Sequence, residues 1–287
     1  MPSLKFIRKR ISSVKNTQKI TKAMKMVSAA KLRRAQERAQ SSRPYERQLS
    51  GIVTGILQDL DYQSPLTEAR DGPRIGLVVV STDRGLCGSL NANLFKKVSQ
   101  YLKENSHKSI ELIALGKKAR DFFSKRGVKV HSVHLDLMKI GSYEYIESIA
   151  DGLKTSFESK VFDRIEVFYS EFQSALVQNA RHESLLPLPI DNIVGEPGAV
   201  LANFIMEPTG REMLDRLLPL LVRFKLYRMV IESLASEHAA RMAAMDSATR
   251  NARDMIDRLT LDMNRARQAA ITKELMEIIG GAEAVSA

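Results

Sequence analysis

Sixty consecutive residues near the end of the chain, Leu220 to Ile279, contain neither glycine nor proline. A helix of that length extends about 90 Å at 1.5 Å per residue, which exceeds the diameter of a small domain. The stretch from Ser3 to Arg43 also lacks both residues and is rich in strong helix formers. Pro44 predicts a kink or a break, after which helical spacing resumes as far as residue 57. The sequence therefore predicts two long terminal helices around a smaller body.

Both helical stretches carry small or apolar residues in a 3,4 rhythm, which is typical of a coiled-coil seam. Because both helices must leave the same compact body, we expect them to pair antiparallel. The middle of the N-terminal seam is polar, and there the apolar face shifts to Ile20, Met24 and Val27, so loose pairing is expected. The C-terminal seam comprises Met242, Met245, Thr249, Ala252, Ile256, Leu259, Met263, Ala266 and Ala270, and the N-terminal seam comprises Ile7, Ile11, Val14, Gln18, Thr21, Lys25, Ser28, Leu32, Ala35 and Ala39.

Between the terminal helices the hydrophobic period changes from helical to strand-like. Short β-rich runs alternate with helical stretches, which predicts a Rossmann-like α/β domain with a mainly parallel sheet. The predicted strands cover 74–81, 110–116, 128–134 and 164–172, and the predicted helices cover 91–104, 117–127 and 143–159. The predicted organisation is thus a helix at 1–59, a linker at 60–73, an inserted α/β domain at 74–208 and a second helix at 209–287.

The net charge of +11 is concentrated at the N-terminus. Residues 1–36 contain eleven Lys or Arg and no acidic residue, which leaves 33 basic and 33 acidic residues in the remaining chain. Such a segment predicts an acidic partner, which could be nucleic acid, an anionic membrane face or acidic protein loops. The chain shows no apolar run that could span a bilayer and no secretory signal pattern, so a cytoplasmic location is expected.

The turn from Ser81 to Asn91 is the most site-like segment, because a glycine-rich turn at a helix start can hold a phosphate. It matches neither the dinucleotide nor the P-loop pattern, so a structural turn is favoured. Cys87, the one cysteine, has no basic partner in the sequence and is predicted to be a small buried residue. His131 and His134 are offset so that they lie on opposite strand faces. No catalytic residue, metal site or cofactor is predicted.

Four blocks of the sequence carry a family resemblance: residues 7–36, SRPY at 42–45, STDRGLCGSLN at 81–91 and the C-terminal block from 266 to 285. The motif residues are Asp83, Arg84, Gly85, Cys87 and Gly88 in the middle block, and Ile271, Thr272, Glu274, Glu277, Gly281, Ala282 and Ala284 in the terminal block. With these blocks, the chain resembles the gamma subunit family of bacterial F-type ATP synthases over its whole length.

This resemblance implies a non-catalytic rotor shaft, present in one copy inside a hexamer of alpha and beta subunits. Its α/β foot would sit on the membrane rotor c-ring and the epsilon subunit, at the cytoplasmic face of the bacterial inner membrane. Ion flow would turn the shaft and drive ATP synthesis or hydrolysis in the hexamer. Met24 would face the lever loops of beta, so Met24→Lys is expected to hamper coupling more than folding.

The resemblance also implies which residues contact the hexamer. Basic residues that would meet acidic loops of the beta subunit are Lys9, Arg10, Lys31, Arg33, Arg34 and Arg241, the last together with Gln268 and Thr272. The tip residues Leu275, Met276, Ile278 and Ile279 would turn in an apolar bearing. Two alternatives are a free-standing nucleic-acid-binding coiled coil, with strongly salt-dependent affinity, and an α/β enzyme with a ligand pocket near Gly85.

Overall fold

The computed structural model describes residues 4–59, 64–136, 143–188 and 209–286. The chain divides into two compact units, one formed by Met1–Ser28 with Met242–Ala287 and the other by Ala29–Arg241. The predicted domain boundaries at 59, 73 and 208 stay a prediction, and residues 60–63 and Pro208 lie outside the described residues.

Two long helices provide the termini, as the glycine- and proline-free stretches predict. Helix α1 (Leu4–Asp59) has 56 residues and helix α5 (Gly210–Ser286) has 77, and each contributes to both units. The helices run through Pro44 and Pro219. An interior proline costs about 3 kcal/mol, but each lies close to well-buried apolar side chains of its own helix that favour the helical path. These side chains are Leu49, Val53 and Ile56 in α1 and Leu218, Leu221 and Val222 in α5.

The larger unit contains a five-stranded sheet in the order β3-β2-β1-β4-β5. Its elements in chain order are β1 (Arg74–Val80), α2 (Leu90–Glu104), β2 (Ser109–Leu115), α3 (Lys117–Ser124), β3 (Val130–His134), α4 (Tyr143–Glu158), β4 (Arg164–Phe172) and β5 (Gln178–Leu186). The first four strands are parallel, and β5 runs antiparallel to β4. The mainly parallel α/β fold is confirmed, and β5 is an additional strand.

Apolar side chains alternate between the two faces of the sheet and build two cores. On one face, Leu77 and Val79 of β1 pack with residues of α2 and α3, such as Leu94 and Phe123. On the other face, Val78 belongs to the larger core, to which α1, α4 and α5 also contribute. This second core includes Val53 of α1, Phe157 of α4 and Leu221 and Met229 of α5, all fully buried. It is the part of the fold that joins both long helices to the sheet.

The smaller unit is an antiparallel helix pair. Lys25 lies 2.5 Å from Asp246, and Thr21 bonds with Thr249, so increasing numbers on α1 meet decreasing numbers on α5. Within this unit the predicted seam positions are buried or half-buried throughout. The expected shift of the apolar face is wrong at two positions, because Ile20 and Val27 are 60% and 56% exposed. The seam instead continues through its polar residues, which bond across the pair.

Candidate functional site

The turn after β1 is held together by its own polar side chains. Asn91 Nδ2 donates to Thr82 Oγ1 at 2.7 Å, and Thr82 Oγ1 donates to the carbonyl of Arg84 at 2.7 Å. The carboxylate of Asp83 accepts the amide of Lys117 at 2.9 Å and that of Asp136 at 3.1 Å. These bonds hold the turn against the start of α3. Because the polar side chains are used in this way, a structural turn is favoured over a phosphate-binding site.

The backbone of this turn exposes one apolar side chain and buries the thiol. Leu86 and Gly88 adopt the left-handed conformation, with φ of 64° and 58°. Leu86 is 61% exposed, whereas Cys87 is 3% exposed and packs with Leu90 and Ala240. Cys87 is therefore a small buried residue, as predicted. Its contacts tie the turn to helix α5.

Arg241, a residue of α5, also contacts this turn. Its Nη2 lies 2.6 Å from Glu237 Oε1, and its Nε and Nη2 donate to the carbonyl of Gly85 at 3.4 and 3.3 Å. Only 8% of Arg241 is exposed. Within the chain the guanidinium thus bonds to Glu237 and to the turn, and its contact with an acidic loop of the beta subunit stays a prediction. Arg241 positions the motif turn.

Burial next to this arginine changes the protonation of its neighbours. Burial raises the pKa of Glu237, and the nearby Arg241 opposes that rise. Burial, together with the charges of Arg241 and Lys31, lowers the pKa of His238 to about 4. His238 Nδ1 is buried and has no hydrogen-bond partner among the described residues. The imidazole is therefore neutral at physiological pH, and the site carries no histidine charge.

The other predicted contact residues of α1 lie on its surface. Exposed basic side chains are Lys9 and Arg10 in the smaller unit and Lys31, Arg33 and Arg34 in the larger unit. Arg33 pairs with Glu37 one turn later at 3.1 Å. Met24 is half-buried in the seam. Arg10 also lines an apolar groove of about 510 Å³ with Phe6 and Leu259 in the smaller unit.

The predicted tip of α5 is exposed and apolar. Leu275, Met276, Ile278 and Ile279 are 54%, 66%, 67% and 58% exposed. Gln268, Ile271, Thr272 and Glu274 are also exposed, and Thr272 Oγ1 donates to the carbonyl of Gln268 at 3.0 Å within the helix. The side chains of Glu277, Gly281 and Ala282 lie outside the described residues. Such a cluster of exposed apolar side chains is typical of a surface that another protein covers.

A further polar cluster connects the long helices to the sheet, and no sequence motif marks it. Arg228 of α5 donates to Glu46 of α1, to Tyr169 of β4 and to Glu183 of β5. Ser233 and Ser236 bond to the main chain of Ser170. Its residues are up to 182 positions apart in the sequence, so only the folded chain brings them together.

The sequence model of the ATP synthase family matches residues 3–285 of this chain, which includes the terminal helix pair and the mainly parallel sheet. The chain is 41% identical over 291 residues to the ATP synthase gamma chain of Heliobacterium modesticaldum, covering 99% of this chain and 100% of the relative. It is 44% identical over 288 residues to the gamma chain of a Geobacter species, strain M21, covering 99% of each. The chain belongs to the family of ATP synthase gamma chains.

Solved structures have a similar fold. The rotor of the Euglena gracilis mitochondrial ATP synthase in rotational state 1 matches with a TM-score of 0.66 at 22% identity, covering 93% of this chain and 98% of that chain. The central stalk and c-ring structure of the Tetrahymena thermophila mitochondrial ATP synthase matches with a TM-score of 0.59 at 25% identity, covering 80% and 99%. Among the described residues of this chain, no helix is both long and apolar enough to cross a membrane.

Proposed function

We propose that the chain is the central rotor shaft of an F-type ATP synthase, and that it couples ion flow through the membrane sector to ATP synthesis or hydrolysis. The observation that carries this proposal is the match to gamma chains over the full length, at 41–44% identity to the relatives described above. The shaft itself is non-catalytic. Its binding partners are the alpha and beta subunits of the hexamer, the epsilon subunit and the rotor c-ring.

The antiparallel helix pair is suited to torsional load because two helices packed by knobs-into-holes contacts resist twisting together. Its seam contains small residues such as Ala252 and Ala266, which allow close approach. Polar bonds such as Thr21 with Thr249 and Lys25 with Asp246 add directional contacts across the pair.

The surface of the shaft is suited to contacts that form and break in each turn. Exposed basic side chains such as Lys9, Arg10 and Lys31 can meet acidic loops of the beta subunits. Exposed ion pairs contribute only about 0–1 kcal/mol each, so such contacts guide the rotor without locking it. The apolar tip from Leu275 to Ile279 makes no directional bonds with a surrounding apolar bearing, and it can therefore rotate there.

Torque enters this shaft from the foot, which the larger unit provides on the c-ring and epsilon. The complex thus holds the chain peripherally at the cytoplasmic face of the bacterial inner membrane. This location follows from the proposed partners.

Purification of the tagged chain from gently solubilised membranes tests the proposal. We expect one copy of the chain with three copies each of two nucleotide-binding subunits, measured by mass and stoichiometry. Recovery of the chain alone, or with nucleic acid and salt-dependent affinity, would contradict the proposal.

Charge reversal gives a second test on the intact complex. Replacement of Lys9 and Arg10 by Glu is expected to lower ATP hydrolysis and ATP-driven ion transport, because the repelled shaft meets the acidic loops poorly. The matched control reverses Lys96 and Lys103, two exposed basic residues of α2. Equal effects of the two pairs would argue against a specific role of the shaft charges.

A further inference from the structure

Helix α5 is attached to the sheet by directional polar bonds in addition to apolar packing. We define the sheet–helix junction as Arg228, Ser233 and Ser236 of α5 with the groups that they bond. All of these groups belong to the larger unit. The three α5 side chains are at least four-fifths buried, so the bonds form largely out of contact with water.

Two serines of α5 bond to β4 at the place where β4 no longer pairs with β1. β4 pairs with β1 only as far as Val79 opposite Phe168, so the later residues of β4 lack a β1 partner on that side. There the amide of Ser170 donates to Ser233 Oγ at 3.0 Å, and Ser236 Oγ donates to the carbonyl of Ser170 at 2.9 Å. On the opposite side Ser170 pairs with Ala180 of β5. One residue of the sheet is thus held by two hydroxyls of the helix.

The arginine part of the junction joins four elements through one guanidinium. Arg228 Nε lies 3.1 Å from Glu46 Oε1 on α1, Nη1 lies 3.1 Å from Tyr169 Oη on β4, and Nη2 lies 2.6 Å from Glu183 Oε2 on β5. Tyr169 also donates to Glu183. Glu232 lies one turn along α5 at 3.6 Å from Nη1. Both long helices and two strands therefore share this cation.

The guanidinium of Arg228 is surrounded by three carboxylates, those of Glu46, Glu183 and Glu232, in a largely buried site. Burial disfavours the charged form of Arg228, but the surrounding groups, Glu46 first, outweigh it and raise the pKa of the guanidinium. Burial raises the pKa of Glu46, which Arg228 and Lys225 oppose. Breaking such a network leaves uncompensated buried groups, so the junction resists separation of its elements.

We propose that the sheet–helix junction transmits torque from the sheet to the two long helices, with Arg228, Ser233 and Ser236 as positioning residues. This inference rests on the proposed function as a rotor. Apolar packing is non-directional, and packed helices can slide by small shear movements. Hydrogen bonds need a defined distance and angle. A helix held at Ser170 and at Arg228 therefore cannot roll on the sheet without breaking bonds at both places.

The test uses the whole ATP synthase in membrane vesicles with the double variant Ser233→Ala and Ser236→Ala. ATP hydrolysis and ATP-driven ion uptake are measured in the same vesicles against increasing opposing ion gradients. We expect hydrolysis to be retained, and the ratio of transported ions to hydrolysed ATP to fall progressively as the gradient rises. Two lost hydrogen bonds should also raise amide exchange at Ser170 by roughly 30-fold.

Matched variants separate this effect from damage to the fold. Ser148→Ala with Ser156→Ala removes two exposed hydroxyls that bond only within α4, and it should leave the ratio unchanged. Ser233→Thr keeps a hydroxyl at this position and should leave the ratio at its wild-type value. If the double alanine variant assembles poorly, each single serine variant removes one bond to Ser170, and Arg228→Lys removes part of the guanidinium contacts with Glu46, Tyr169 and Glu183. Each of these variants should give intermediate slippage. A simple loss of assembled complex lowers hydrolysis and uptake together and leaves their ratio intact.

The proposal is overturned if the ratio stays at its wild-type value at every gradient, whether or not exchange at Ser170 becomes faster. Faster exchange with normal coupling would mean that the bonds only stabilise the fold. Failure of the proposed function looks different, because the wild-type chain itself would then not support ATP-driven ion uptake.

Discussion

The hydroxyl of Thr249 donates to the hydroxyl of Thr21 at 2.8 Å across the helix pair of the smaller unit. Thr21 in turn donates to the carbonyl of Gln18 at 3.0 Å, so both hydroxyls are satisfied in a largely buried seam. A polar pair at this position favours one register of a coiled coil, because a slip of the helices breaks the bond between the two hydroxyls and leaves each with only the carbonyl of its own helix, Gln18 or Met245.

Thr21→Val should therefore lower the free energy of unfolding by about 0.5–1.5 kcal/mol, since the bond across the seam is lost while Thr249 Oγ1 keeps the carbonyl of Met245 at 2.7 Å. The double variant Thr21→Val with Thr249→Val should cost less than the sum of the two single variants, because the bond between the two hydroxyls can be lost only once. Denaturant unfolding of the purified single and double variants measures the coupling between the two residues. Additive losses in the double variant would contradict a direct interaction.

Arg228→Met leaves Glu46 and Glu183 without their shared cation. We expect the free energy of unfolding to fall by about 3–5 kcal/mol, the usual cost of breaking a buried ionic network. The control Arg120→Met removes a pair with Asp121 whose side chains are 35% and 40% exposed, and it should cost less than about 1 kcal/mol. Both variants are compared by denaturant unfolding at neutral pH. A similar small loss in both would show that the junction has no special energetic role.

His238 should make stability depend on pH. Its pKa is about 4 in the folded chain, against an ordinary value of 6.5, so the unfolded chain binds the extra proton first as the pH falls. Above pH 6.5 the residue does not change the free energy of unfolding. Between pH 6.5 and about 4 this free energy falls by up to about 3 kcal/mol. Below that range the loss levels off.

His238→Gln should remove this part of the pH dependence. The difference between the two unfolding free energies is measured from pH 7.5 down to pH 4, with the exposed His107→Gln as control for the loss of a histidine. Parallel pH profiles of wild type and His238→Gln would show that the imidazole is protonated in both states alike.

Two glycines near the motif turn should respond oppositely to alanine. A Cβ at Gly116 would lie 2.2 Å from the carbonyl oxygen of Ser81, and its φ is 108°, so Gly116→Ala should prevent stable folding. A Cβ at Gly85 would meet no atom within 4 Å, so Gly85→Ala should change the melting temperature little. Thermal unfolding and soluble yield compare the two variants. A normal melting temperature for Gly116→Ala would refute the steric argument.

The periodic parts of the fold could be predicted from the sequence because their signals are local. The long helices, the first four strands and the seam rest on spacing within one segment. Strand β5 was not predicted because Gln178–Leu186 is mostly polar and lies at the sheet edge. Its pairing with β4, and not its own hydrophobic pattern, makes this segment a strand. Ile20 and Val27 look like core residues from composition alone, but the heptad spacing places them outside the seam.

The site was predictable only where one segment carries it. The turn around Gly85 and the exposed tip could be located from their residues, and Cys87 could be expected to be buried. The position of Arg241 could not, because its partner Gly85 is 156 residues away. The position of Arg228 could not be predicted either. Neither its charge nor its neighbours in the sequence show whether it lies in a buried contact between four elements or on a solvated helix face.

The burial of Cys87 has a practical consequence for experiments on motion. It is the one thiol in the sequence, and it is shielded by Leu90 and Ala240. Maleimide reagents act on accessible thiolates, so a cysteine introduced on an exposed helix position can be labelled in an otherwise native chain. Dyes, beads or spin labels can thus be attached at chosen positions along α1 and α5, and the native cysteine need not be replaced first.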